Sequence, residues 1–245
     1  MWTGDVLRLC TLLRGGLLVA ALTFAPAAAT AATMAFAPAA ATAATMAFAP
    51  AASAATMEER ILAEVNFARA YPQAYALRLL VEPQTSWERA LADAGTEADD
   101  PGAFGEAVEH LLAQAPLPPL EANKVLAAAA LEHVALQGPV GAIGHSGPDG
   151  ERFYDRIRRH GAGRVIAAEN IAYGPPAASD VVRALIIDSG VASRGHRRNI
   201  FHDGFEAVGV SCGPHRDYST MCVMDFSGAP SRMAARGRQG RSAAE

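Results

Sequence analysis

Three copies of one dodecamer decide where this chain can build a core. Phe-Ala-Pro-Ala-Ala-Ala-Thr-Ala-Ala-Thr-Met-Ala begins at Phe24, recurs at Phe36 and returns with small changes at Phe48. Alanine, threonine and proline supply little core volume, and the period is too short for a solenoid unit. Residues 30–56 therefore read as a disordered Ala/Thr/Pro linker. Folding is left to residues 57–228, a length that supports one domain with one sizeable core.

Residues 1–29 read as an export signal. Arg8 and Arg14 precede the apolar run Gly16 to Leu22, and small-residue cleavage sites follow near Ala27, Ala28 and Ala29. The alternative is a membrane anchor, because Ala-rich sequence continues to Ala55, although Pro26, Pro38 and Pro50 oppose a single long helix. The expectation is a mature chain that begins between Ala28 and Met57, lies outside the cytoplasm (extracellular or periplasmic), and has no stable membrane span. At the other end, residues 229–245 carry Arg232, Arg236, Arg238 and Arg241 among Gly, Ala and Ser, and read as an Arg-rich disordered tail. The chain has a net charge of −4 and twenty Arg against a single lysine, Lys124. No run of charge is large enough to track a phosphate backbone, so no nucleic-acid partner is expected.

Within the folding part, helical period dominates first. Ile61, Leu62, Val65 and Ala68 share one face, and Pro72 marks a kink or break before a stretch through Leu80. Phe104, Val108, Leu111 and Leu112 repeat on one face again. The run Pro116 to Leu120 must be extended, since each proline fixes its own φ and disfavours α in the residue before it. It feeds an Ala-rich helix from about Asn123 to Gln137, followed by a helix over Glu151 to Arg159 and one after Pro175-Pro176 with Ser179 as its expected cap. Strands are expected at about 164–172, 205–212 and 219–226. Helices around a small antiparallel sheet give an α+β class.

Of the three cysteines, Cys10 falls in the export signal, leaving Cys212 and Cys222. A hairpin centred on Asp217 sets them opposite each other, and an oxidising compartment would join them. Two buried free thiols are the alternative.

The chemistry-bearing residues are His145, within Gly144-His145-Ser146-Gly147; Glu169, within Ala168-Glu169-Asn170-Ile171; Asp188; and His196, within Arg194-Gly195-His196-Arg197-Arg198-Asn199-Ile200. Two imidazoles and two carboxylates from separate elements suit zinc or another divalent cation, with His145 and His196 as the metal-ligand candidates. The same four groups could instead form a hydrogen-bonded network with no metal. The remaining histidines, His110, His133, His160, His202 and His215, read as surface or capping residues, with His202 held open as a site neighbour. Arg194 and Arg197 either hold an anionic ligand or pair with local carboxylates. No Gly-x-Ser-x-Gly elbow frames Ser146 or Ser193, and His-Glu-x-x-His, the P-loop and paired Cys-x-x-Cys are absent.

In this order, and with Leu117-Pro118-Pro119-Leu120 ahead of the Ala-rich helix, these motifs resemble the CAP superfamily, also called SCP-like: cysteine-rich secretory proteins, insect antigen 5 and plant pathogenesis-related proteins. The resemblance spans about Met57 to Phe226 and implies a three-layer α-β-α sandwich. It also implies that His145, Glu169 and His196 are members of a His, Glu, Glu, His cleft tetrad. Asp188 stands where the family has the second Glu, and Leu185 where it has a Trp. The resemblance fixes the fold better than the task; the expected function is a secreted, non-enzymatic binding protein for a small-molecule, lipid or cell-surface ligand, its cleft able to hold a divalent cation. The alternative is a metal-assisted peptidase or nuclease using the same cleft.

Overall fold

The computed structural model describes residues 54–82, 84–93 and 100–229. The expectations for 1–29, for most of the linker and for nearly all of the tail lie outside these residues. The first described helix begins at Met57. Thr56 caps α1 (Met57–Ala70): its hydroxyl accepts from the Glu59 amide at 3.2 Å while the Glu59 carboxylate accepts from the Thr56 amide at 2.8 Å. Pro72 breaks rather than kinks the chain, opening α2 (Pro72–Val81), with Tyr71 shared between the two helix ends. Then come α3 (Ser86–Asp93) and α4 (Gly102–Ala113).

The proline run is extended, as expected, and is clamped by Asn66, whose side chain donates to Leu120 O at 3.0 Å and accepts from Leu120 N at 2.8 Å. It leads into a two-residue strand β1 (Glu121–Ala122), too short to leave a sequence pattern, and then α5 (Lys124–Gln137), capped by Asn123. A 3-10 turn over Gly138–Val140 follows, then α6 (Phe153–Arg159), β2 (Ile166–Tyr173), α7 (Ala178–Ile187), α8 (Gly195–Ile200), β3 (Ala207–His215) and β4 (Ser219–Gly228). The α7 cap residue is Ala177 rather than Ser179, and no side chain serves it.

The sheet order is β1-β3-β4-β2. The three long strands are antiparallel, and the short β1 joins the edge parallel to β3. Strand alternation divides the core between two faces. Val208, Val210, Cys222, Met224 and Phe226 point to α1, α2, α4, α7 and α8, and Ile171, Met221 and Val223 point to α5. This is the helix, sheet, helix layering expected. The α5 layer lies so close that a Cβ on Gly209 would meet Ala127 N at 2.0 Å and Leu126 C at 2.2 Å, so only glycine fits there. Cys212 and Cys222 are directly opposite in register and form a disulfide. Among the described residues no helix is long and apolar enough to cross a membrane.

Candidate functional site

The four predicted side chains form two imidazole–carboxylate pairs. His145 Nδ1 donates to Glu169 Oε1 at 2.8 Å, and His196 Nδ1 donates to Asp188 Oδ1 at 2.6 Å. A carboxylate oxygen that accepts from Nδ1 selects, for the neutral ring, the tautomer with its proton on Nδ1 and its lone pair on Nε2. Neither Nε2 bonds to a described residue. Both carboxylates are buried, whereas the His145 side chain is 56% exposed and that of His196 22%.

The His145 loop is pinned from three directions. Gln137 Nε2 donates to Gly144 O at 2.8 Å and Ser146 O at 3.2 Å, and His133 Nε2 donates to Gly144 O at 2.9 Å. From β2, Tyr173 Oη accepts from Gly144 N at 2.9 Å and donates to Gln137 Oε1 at 3.0 Å. Gly144 itself has φ +99°, a conformation that favours glycine.

Asp188 ends α7 in the left-handed conformation, φ 59° and ψ 41°. From that turn the carboxylate, one methylene shorter than that of Glu, reaches His196 directly. It also accepts from the His196 amide at 2.9 Å and the Arg197 amide at 3.3 Å, capping α8. Arg197 is buried and donates to Ile186 O at 2.6 Å and Ile187 O at 2.8 Å, the last carbonyls of α7. Arg194 pairs with Asp100 and Glu106 at 2.6 and 2.7 Å, and its hydrogen bonds hold both carboxyls below the usual range. Both arginines are therefore structural.

Strand β2 serves both pairs from consecutive positions. Glu169 points to the face of α5 and α6, while Asn170 points the other way, its Nδ2 donating to His196 O at 3.0 Å and its Oδ1 accepting from Asn199 at 2.8 Å. Among the described residues no three His, Cys, Asp or Glu side chains are grouped closely enough to hold a metal ion.

Behind Glu169 lies a buried cluster that no sequence motif announces. Arg156 donates to Glu169 Oε2, and its Nη1 donates to His133 Nδ1 at 2.9 Å. His133, expected at the surface, is fully buried; burial first, and the Arg156 charge second, lower its pKa and keep it neutral. Asp225 stands opposite Glu169 in register and is also fully buried. No N–H or O–H donor of another described residue reaches its oxygens. Burial raises the Asp225 carboxyl well above its ordinary range, and the Glu169 charge adds to this. Held neutral, Asp225 can donate its own proton to Glu169. Its signal was a lone acid inside the apolar run Met221 to Phe226.

Two other histidines are structural. His215 is buried, donating from Nε2 to Ala142 O at 2.9 Å and accepting from the Asp217 and Tyr218 amides. His202 accepts from Gly204 N at 3.0 Å and stacks on Phe205.

Residues 62–226 match the family model described as CAP, the cysteine-rich secretory protein family. No curated protein matches this sequence. Similar solved structures include an outer surface protein of Borrelia burgdorferi, with 21% identity, TM-score 0.40, and coverage of 46% of this chain and 80% of that one. An extracellular SCP-domain protein of Bacillus anthracis has 21% identity and TM-score 0.40, covering 53% of this chain and 41% of that one. A cysteine-rich secretory protein of Staphylococcus aureus has 13% identity and TM-score 0.34, covering 53% and 39%. This chain therefore spans about two fifths of the last two proteins. With the family match covering most of the chain and the sheet, layers and site residues in the order described, this chain belongs to the CAP family of cysteine-rich secretory proteins.

Proposed function

We propose that this CAP domain acts outside the cell as a ligand-binding protein whose two imidazole–carboxylate pairs can share a divalent cation. The observation that carries the reading is the state of the two rings. Each gives its Nδ1 proton to a buried carboxylate and leaves Nε2 without a protein partner among the described residues. A metal-binding histidine is oriented in this way, because the carboxylate fixes the tautomer and raises the basicity of the free nitrogen. The donor set fits zinc in chemistry, with His145 and His196 as the protein ligands and Glu169 and Asp188 behind them. When bound, the cation would supply a Lewis-acidic point for an anionic or carbonyl oxygen of the ligand.

Secretion is supported by the export-like residues 1–29 and by the Cys212–Cys222 disulfide, a bond that persists in oxidising compartments. The ligand classes are a small molecule, a lipid or a cell-surface component.

Metal content of protein purified from the medium, together with turnover of generic peptide and phosphodiester substrates before and after chelation, tests the reading. Bound divalent metal without turnover is the expected result. Turnover that chelation abolishes would replace binding with hydrolysis, and metal-free protein after zinc loading and desalting would remove the cation.

A further inference from the structure

Two open cavities meet at Tyr154. One, of about 320 Å3, is lined by His145, Ser146, Arg152, Phe153 and Tyr154. The other, of about 670 Å3, is lined by Tyr154, Arg158, Gly163, Arg164, Val165 and Ile166. Neither lining contains an Asp or Glu, and the second contains two arginines. Both are exposed and neither has an ion-pair partner among the described residues. Their neighbours are committed: Arg152 pairs with Asp155 at 3.1 Å, and Arg159 with Glu132 and Glu151, each at 2.7 Å.

A third cavity gives the contrast. The space of about 530 Å3 between α2, α3 and α7 is lined by Arg78, Arg89 and Arg183, but also by Glu82 and Asp180. Arg78 is paired with Glu64 and Arg183 with Glu88. Positive charge is neutralised there and left open beside Tyr154.

Tyr154 is a fixed platform. Its hydroxyl donates to Ala167 O at 3.0 Å and accepts from Ala167 N at 3.1 Å, occupying the outward backbone groups of the edge strand β2. Phe153 meets its ring edge-on at 5.3 Å, while the residue stays 44% exposed. A held, half-exposed aromatic ring offers an apolar face to the C–H face of a sugar at little entropic cost. Guanidinium groups on one side of it match carboxylates along a chain.

We propose that the groove running from His145 across Tyr154 to Arg158 and Arg164 binds an acidic polysaccharide, with a sugar ring on Tyr154 and its carboxylates on the two arginines. This assignment rests on the reading of His145 as ligand-facing. The protein carries a net charge of −4, so attraction is local to the groove and falls as salt screens it.

The test is titration of the full secreted protein with an oligogalacturonate, its fully methyl-esterified counterpart and inorganic polyphosphate, using wild type and Arg158→Gln/Arg164→Gln. Both arginines are exposed, so the variant is expected to melt with the wild type. The uronate oligomer should bind, the ester should bind far less, and the double variant should lose about fivefold to tenfold in affinity, the size that two exposed charge contacts support. Equal binding of ester and acid, equal binding by the variant, or no uronate binding would overturn the proposal, and preferential capture of polyphosphate would overturn the glycan assignment. Zinc affinity of the same variant should be unchanged. Uronate binding by a wild type that takes up no zinc would mark failure of the cation site alone, and zinc binding by a wild type that takes up no uronate would mark failure of the groove alone.

Discussion

Asp188 holds His196 twice, at the ring through Nδ1 at 2.6 Å and at the backbone through the amide at 2.9 Å. One carboxylate thus sets both where α8 begins and which ring nitrogen is free. Asp188→Ala removes a cap and a buried acceptor together and should cost about 2–4 kcal/mol. Asp188→Asn retains a cap oxygen and should cost less, while disturbing the His196 tautomer. Denaturant unfolding gives the energies, and the 15N shifts of the His196 ring give the tautomer; an unchanged ring in Asp188→Ala would contradict the arrangement.

Arg156 is the cation of the buried cluster. With Glu169 ionised and Asp225 beside it, Arg156→Met strands a buried carboxylate and should destabilise by about 3–5 kcal/mol. Adding Glu169→Gln removes the stranded charge and should recover part of that loss, which a double-mutant cycle would measure. Additive losses would contradict the coupling.

Asp225 provides the pH dependence. A carboxyl whose folded pKa is raised contributes fully below its unfolded value, near 3.8, and its contribution is lost as pH rises toward the folded value. Asp225→Asn keeps a donor toward Glu169 and removes that loss. Its melting temperature relative to wild type should therefore rise between pH 4 and pH 7, and a difference that is flat or falls over that range would contradict a neutral Asp225.

Gly209→Ala tests the packing of α5 on the sheet. Its Cβ would fall within 2.2 Å of helix backbone, which cannot move aside as a flexible side-chain tip can. The expected cost is about 2–3 kcal/mol in chemical unfolding, and a neutral effect would mean the helix sits farther from β3.

The elements with strong local signals were legible in the sequence. The α1 start at Thr56-x-x-Glu59, the extended proline run, and the two cysteines set opposite each other by their hairpin all follow from residues close in sequence. Both His–carboxylate pairs use the residues the motifs named. Features set by tertiary contact were not legible. Nothing around His133 announces burial, because its partners Arg156 and Gly144 come from other elements. The Asp188 reach depends on one left-handed residue, which a side-chain count cannot supply. The two-residue β1 exists because β3 runs beside it.

The most direct measurement of the central claim is a calorimetric zinc titration of wild type, His145→Ala, His196→Ala and the double variant, with melting curves to verify the fold. The two histidines are at or near the surface, so each variant should remain folded. Wild type should bind zinc at one site, each single variant should bind it much more weakly, and the double variant should not bind it. Zinc binding that survives in the double variant would contradict that claim.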